Sequence, residues 1–263
     1  MATIISIANQ KGGTGKTTTT LNLGDALVAQ GKRTLLVDFD PQAALTLSHG
    51  IDPSSLQKTV YHALADFTCD IRTVIVHTKD GPDIAPANID LSGIEAEMGG
   101  EPGRDALLKS ALEPVGDAYD YVIIDCSPTL GLLTINALSA SRYLLIPVQT
   151  EYYALKAIDL LLSIFSKVKA RVNKEITILG FLPTMYQANT VHSREVLNIL
   201  KQTYGDQVLD VIIEKTVKFP DSVIVEGFGR EPEPASILRY DPQSKYADSY
   251  RKLAQLIIGG QHG

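Results

Sequence analysis

Ten residues near the start of the chain restrict its fold more than any other feature: Asn9-Gln10-Lys11-Gly12-Gly13-Thr14-Gly15-Lys16-Thr17-Thr18. They follow the apolar, β-branched run Thr3–Ala8 and lead into an amphipathic stretch, Lys16–Gln30. A strand that turns through glycines into a helix is the setting a phosphate-binding loop requires. The glycines let backbone N–H groups point inward, and the helix N-terminus adds positive potential for an anion. In such a loop Lys16 reaches β- and γ-phosphates, and the Thr17 hydroxyl ligates Mg²⁺. The common pattern G-x-x-x-x-G-K-[ST] wants glycine at position 10. This chain has Gln10 there, then an additional lysine, Lys11, followed by two glycines.

Downstream, short apolar runs alternate with longer amphipathic ones. Strands are expected at Thr3–Ala8, Arg33–Asp38, Asp83–Pro86, Tyr121–Asp125, Tyr143–Val148, Ile176–Leu182 and Val208–Ile213. Several (IISIA, YVIID, LLIPV, ILGFL) are almost continuously apolar, as strands buried on both faces of a parallel sheet are. Helices are expected at Lys16–Gln30, Arg104–Leu112, Leu130–Ala140, Ala154–Val172, Val191–Tyr204 and Lys245–Ile258. The last places Tyr246, Tyr250, Leu253, Ala254 and Ile257 on one face, the stripe of a helix docked on a core. Strand–helix alternation from end to end implies an α/β fold with a mostly parallel, doubly wound sheet flanked by helices, residues 1–263 forming a single domain. Glu226–Pro234 (EGFGREPEP) reads as a surface loop. With 44% hydrophobic and 21% charged residues the chain is globular, and no apolar run is long enough to span a bilayer. The N-terminus lacks the pattern of a signal peptide, and Cys69 and Cys126 are too few for a disulfide framework, so a cytoplasmic location is expected. A net charge of −6 argues against a uniformly basic nucleic-acid binder but leaves room for a local basic patch.

Two more strand ends carry acids. Tyr121–Asp125 ends in the carboxylate that such sites place near the metal, and Arg33–Asp38 runs into Asp38-Phe39-Asp40-Pro41-Gln42. Ligands of open α/β sheets bind beyond the carboxyl ends of the strands, so all three motifs converge on one edge. A carboxylate there, Asp40, is placed to orient an attacking water; the competing reading is a turn residue before proline.

The loop KGGTGKTT, the runs LLVDFDPQAALT, DYVIIDCSPTLGLLTINAL and LLIPVQTEYYAL, and the tail ILRYDPQSKYADSYRKLAQLI together resemble the deviant Walker ATPases of the ParA/Soj/MinD family, and most of all its short ParA/Soj type. The resemblance covers nearly the whole chain and implies a P-loop NTPase fold, ATP and Mg²⁺ as ligands, and a homodimer that sandwiches two ATP molecules. Lys11 matches the signature lysine that crosses to the partner's phosphates, so that dimerisation and γ-phosphate are coupled. Lys16 matches the ATP-binding lysine, Thr17 the Mg²⁺ ligand, Asp125 a second-shell metal carboxylate, Asp40 the water-positioning aspartate and Asp38 the other acid of that switch, also assigned to the metal. Nucleotide contacts are expected from Lys11, Gly12, Gly13, Thr14, Gly15, Lys16, Thr17, Thr18 and Met185. Where the family commonly has Pro-Pro after the strand ending in Asp125, this chain has Ser127 and Pro128.

Proteins of this type bind DNA non-specifically, act on the nucleoid with a ParB-like or other small adaptor that stimulates hydrolysis, and segregate plasmids or chromosomes. Asn189 stands where an arginine is usual, Glu214 where proline is usual, and the basic pair appears as Lys215 and Lys218, with Arg251 and Lys252 as extensions of the patch. The competing reading is solvated lysines on a surface turn. Positioning of a protein organelle, of the carboxysome kind, needs the same engine and is the alternative. A membrane-cycling MinD-like protein wants a basic amphipathic segment after the last helix, and operator binding wants a helix-turn-helix before the first strand; neither is expected here. An iron–sulfur reductase would draw on Cys69 and Cys126, which read better as incidental thiols. A scaffold that binds ATP without turnover is opposed by Asp40.

Overall fold

The structure, a computed structural model, describes residues 1–151, 154–219 and 236–260, with the side chains of 154–156 left aside. In chain order the elements are β1 (Thr3–Ile7), α1 (Lys16–Val28), β2 (Thr34–Phe39), α2 (Ala44–Ser48), α3 (Val60–Ala65), β3 (Asp83–Ala85), α4 (Ile94–Glu97), α5 (Leu107–Leu112), β4 (Tyr121–Cys126), α6 (Leu132–Ala140), β5 (Tyr143–Gln149), α7 (Ala154–Arg171), β6 (Thr177–Thr184), α8 (Val191–Tyr204), α9 (Ile237–Tyr240) and α10 (Lys245–Ile258). The strands form one sheet in the order β3-β2-β4-β1-β5-β6, and every neighbouring pair is parallel.

Alternation along the strands builds two cores. On β2, Leu35, Val37 and Phe39 join the layer of α3, α5, α6 and α7, whereas Leu36 faces the layer of α1 and α10. Both faces are covered, so all six β2 residues are buried, and continuous apolar strands follow from that geometry. The close approach of α1 to the sheet depends on Gly24, where a Cβ would lie 2.7 Å from Leu36 Cδ2. The α10 stripe is as expected: Tyr250, Leu253, Ala254 and Ile257 are buried, with Tyr246 packed at the edge of the same core.

One expected strand is corrected. Val208–Ile213 runs beside β6 but makes one isolated bridge, Phe181 with Val208, and a second, Tyr186 with Glu214, lies just beyond both segments. Leu209 N–H donates to Phe181 O, and the next bond of a parallel ladder would need an N–H from Pro183, which has none. Pairing resumes only where Ile213 N–H reaches Pro183 O. The expected helix Arg104–Leu112 begins as a 3₁₀ turn, Arg104–Ala106, before α5. Glu226–Pro234 lies outside the described residues.

Candidate nucleotide site

β1 lies between β4 and β5, so the crossovers diverge there and leave a crevice at the strand ends. The loop after β1 is tied down from its neighbours. Asn9 Nδ2 donates to Pro147 O at 2.7 Å, Asn9 Oδ1 accepts the Lys11 N–H at 3.0 Å, and Thr184 Oγ1 donates to Thr14 O at 2.8 Å. Gly13 and Gly15 have φ of 72° and 85°, the left-handed region that side chains disfavour. Gly15 also opens α1, whose first turn holds no acidic residue and whose cap makes no side-chain hydrogen bond. The N–H groups at that end are therefore free to meet an anion.

Lys16 is buried, its ammonium 3.4 Å from Lys11 O. Burial pushes its pKa below the usual lysine range, against the upward pull of Asp125 first, with Cys126 and Asp40 also raising it. A buried cation at a helix N-terminus is matched chemically by phosphate.

The carboxylates meet as the sequence implies. Asp38 and Asp125 sit opposite each other in the β2–β4 register, both buried. Burial, and then the neighbouring Asp38, push Asp125 up to about 8, while the Thr17 hydroxyl and Lys16 pull it down. Burial likewise pushes Asp38 up to about 6. Asp125 Oδ1 lies 3.4 Å from Thr20 Oγ1, but its buried Oδ2 has no hydrogen-bond partner. That one unpartnered buried oxygen, on a carboxyl that the Thr17 hydroxyl also approaches, fits a hydrated Mg²⁺, whose waters would supply a donor to it. Asp38 differs: its Oδ2 accepts from Thr46 and its Oδ1 from Asp40 N–H, so both oxygens are already occupied. Among the described residues, no cluster of three or more His, Cys, Asp or Glu offers an all-protein metal cage. Asp40 is half-buried at the mouth, with its Oδ1 accepting the Gln42 N–H at 3.0 Å.

Lys11 does not enter this pocket. Its ammonium donates to Gln149 Oε1 at 2.8 Å and Glu151 Oε2 at 3.1 Å, at the end of β5. In the sequence Gln149 and Glu151 lie within the run LLIPVQTEYYAL, where nothing local signals this role. Met185, whose φ of 53° is rare for a side-chain-bearing residue, lines a cavity of about 300 Å³ with Gly15, Thr18, Thr19, Phe219 and Tyr250. A mostly apolar cavity next to the loop suits a nucleobase.

Lys215 lines that same cavity. Lys218 is ion-paired with Asp241, and Arg251 both pairs with Asp248 at 2.7 Å and donates to Pro242 O, so Lys218 and Arg251 flank one turn. Lys252 is exposed on α10. Cys126 is buried in the core, where burial pushes its thiol pKa up. No helix among the described residues is long and apolar enough to cross a membrane.

The profile of a family described as an AAA domain matches residues 2–178. The sporulation initiation inhibitor protein Soj of Bacillus subtilis is 42% identical over 257 residues, covering 98% of this chain and 98% of Soj. The chromosome partitioning protein ParA of Caulobacter vibrioides is 35% identical, covering 97% of this chain and 93% of ParA. Among solved structures, that of cobyrinic acid a,c-diamide synthase from Mycobacterium smegmatis with bound ATP analogue and magnesium matches with a TM-score of 0.85 and 38% identity, over 98% of this chain and 94% of that one. With a phosphate loop carrying two lysines, paired aspartates behind it and full-length likeness to Soj and ParA, the chain belongs to the ParA/Soj family of P-loop ATPases.

Proposed function

We propose that the chain is a partition ATPase that binds ATP with Mg²⁺, dimerises around it, holds DNA non-specifically as the dimer and hydrolyses ATP slowly until a small ParB-like adaptor stimulates it. The observation that carries this reading is the division of labour between the two loop lysines. Lys16 is buried inside the pocket, whereas Lys11 stands at its rim on partly exposed acceptors. A cation at the rim is available to a second nucleotide facing it across a two-fold axis.

In this reading the N–H groups of the loop and of the start of α1 cradle the phosphates, and Lys16 neutralises their charge. Thr17 and, through water, Asp125 would hold Mg²⁺, which would supply positive charge to offset the charge that develops on the phosphates. Asp40 orients the attacking water toward the γ-phosphate, and Met185, Phe219 and Tyr250 sandwich the base. The cargo is a plasmid or chromosome, the latter being what the name of the C. vibrioides relative says that protein partitions, and the protein works on the nucleoid.

The test is ATP turnover by the purified chain, alone and with duplex DNA, beside Asp40→Ala. Slow phosphate release that Asp40→Ala abolishes without loss of ATP binding supports the reading; unchanged release by Asp40→Ala contradicts it. Turnover with no carboxylate or amine co-substrate separates it from ATP-dependent amide synthesis, the activity in the name of the M. smegmatis protein.

A further inference from the structure

Thr46 is fully buried in α2, eight residues beyond Asp38. Its N–H and its hydroxyl both donate to Asp38 Oδ2, at 2.8 and 2.7 Å. The same hydroxyl oxygen accepts the Ala87 N–H at 3.0 Å. On the other side of the carboxylate, Asp38 Oδ1 accepts the Asp40 N–H at 3.3 Å. One chain of hydrogen bonds thus runs from the segment after β3, through Thr46 and Asp38, to the backbone of Asp40.

The turn it closes is strained. Ala43, between Asp40 and α2, is buried with φ 52° and ψ 34°, a left-handed conformation that costs a residue with a Cβ free energy. Ala43 N–H donates to Asp40 O at 2.9 Å, so the strained residue and the acid belong to one tight unit. A strained turn keeps its shape only where its surroundings fix both ends. The β2 ladder fixes one end, and the double donation from Thr46 fixes the other.

We propose that Thr46 is the positioning residue for hydrolysis: acting through Asp38, it clamps the turn that carries Asp40. This rests on the assignment of Asp40 to water positioning. The hydroxyl is what the role requires, because one oxygen donates to Asp38 while accepting from Ala87. Valine keeps the shape and the backbone donor but removes that bridge, whereas serine keeps it.

The experiment compares full-length wild type, Thr46→Val, Thr46→Ser and Asp40→Ala for ATP affinity and for single-turnover hydrolysis with ATP and Mg²⁺. Thr46→Val is expected to slow hydrolysis about 10-fold or more while ATP affinity stays within about twofold, since an ångström of misplacement acts on chemistry more than on binding. Its ATP-bound dimer should persist longer by the same factor, and Thr46→Ser should recover to within about threefold of wild type. If the valine variant does not fold, Thr46→Cys, similar in volume with only a weak donor, is expected to show the same fall. Wild-type hydrolysis by Thr46→Val or Thr46→Cys, with Asp40→Ala inactive, overturns the role of Thr46 alone. Wild-type hydrolysis by Asp40→Ala overturns the reading beneath it.

Discussion

Lys11 and Glu151 form an ion pair, ammonium to carboxylate oxygen 3.1 Å, across the rim of the nucleotide pocket. Gln149 completes the arrangement by accepting from the same ammonium and donating to Glu151 Oε1 at 2.6 Å. Both charges are partly solvated, with side-chain exposures of 30% and 52%. A pair of that kind is worth about 0–1 kcal/mol, so a triphosphate across a dimer interface outcompetes it. Lys11→Ala should therefore bind ATP and remain monomeric. Glu151→Ala should lower the ATP concentration needed for dimerisation by up to about fivefold, as read by light scattering.

Lys16 is the inner of the two loop lysines. Its burial leaves it short of counter-charge, and phosphate supplies it. Lys16→Ala should weaken ATP binding in calorimetry by about 100-fold, a loss typical of a buried charge-assisted contact, without lowering the melting temperature. Near-wild-type affinity would remove Lys16 from the site.

The Asp125 carboxyl makes the nucleotide-free protein sensitive to pH. Its pKa is raised to about 8 in the folded chain, so the folded state holds a proton that the unfolded state has already released. Stability therefore falls as pH rises toward and through about 8. Between pH 6.5 and 8.5 the loss should be roughly 2 kcal/mol, or ~4–8 °C in melting temperature. Asp38 titrates below this window, and buried His49, whose pKa burial lowers, contributes below it as well. Asp125→Asn should flatten the profile in calorimetric melts without nucleotide; an equal slope in the variant would contradict the shift.

The fold was legible because its strongest signals are local. Glycines before Lys16-Thr17, and apolar runs ending in Asp38 and Asp125, each state their own geometry. What escaped depends on distant contacts. The strand expected at Val208–Ile213 is interrupted by Pro183 on its neighbour, a residue some 25 positions earlier in the chain. Thr46 looks like an ordinary helical threonine until the fold places Asp38 and Ala87 around it. The rim partners of Lys11 come from the last residue of β5 and the turn just after it, 138 and 140 residues away. The short helices α2, α3 and α4 span six residues or fewer, too few to show a period.

DNA binding by the dimer should require Lys218 to leave Asp241. With about four phosphates neutralised by a dimer, log K against log salt should have a slope near −3.6. Lys218→Ala removes two of those contacts and should flatten the slope by about 1.8, equally for every sequence. Asp241→Asn, which frees the lysine, should strengthen binding. Lys215 lines the cavity proposed for the base, so its replacement should weaken ATP binding too, a distinction a fluorescence titration of each ligand resolves.

The central claim is that γ-phosphate and dimerisation are coupled through Lys11. It is tested most directly by the mass of the full-length chain in multi-angle light scattering with Mg²⁺ and ATP, with ADP, and without nucleotide, using Asp40→Ala to prevent turnover. The account predicts twice the 28.5 kDa chain mass with ATP alone, and 28.5 kDa in the other two states and for Lys11→Ala/Asp40→Ala with ATP. The same mass in all three nucleotide states, or an ATP dimer that persists without Lys11, would contradict it.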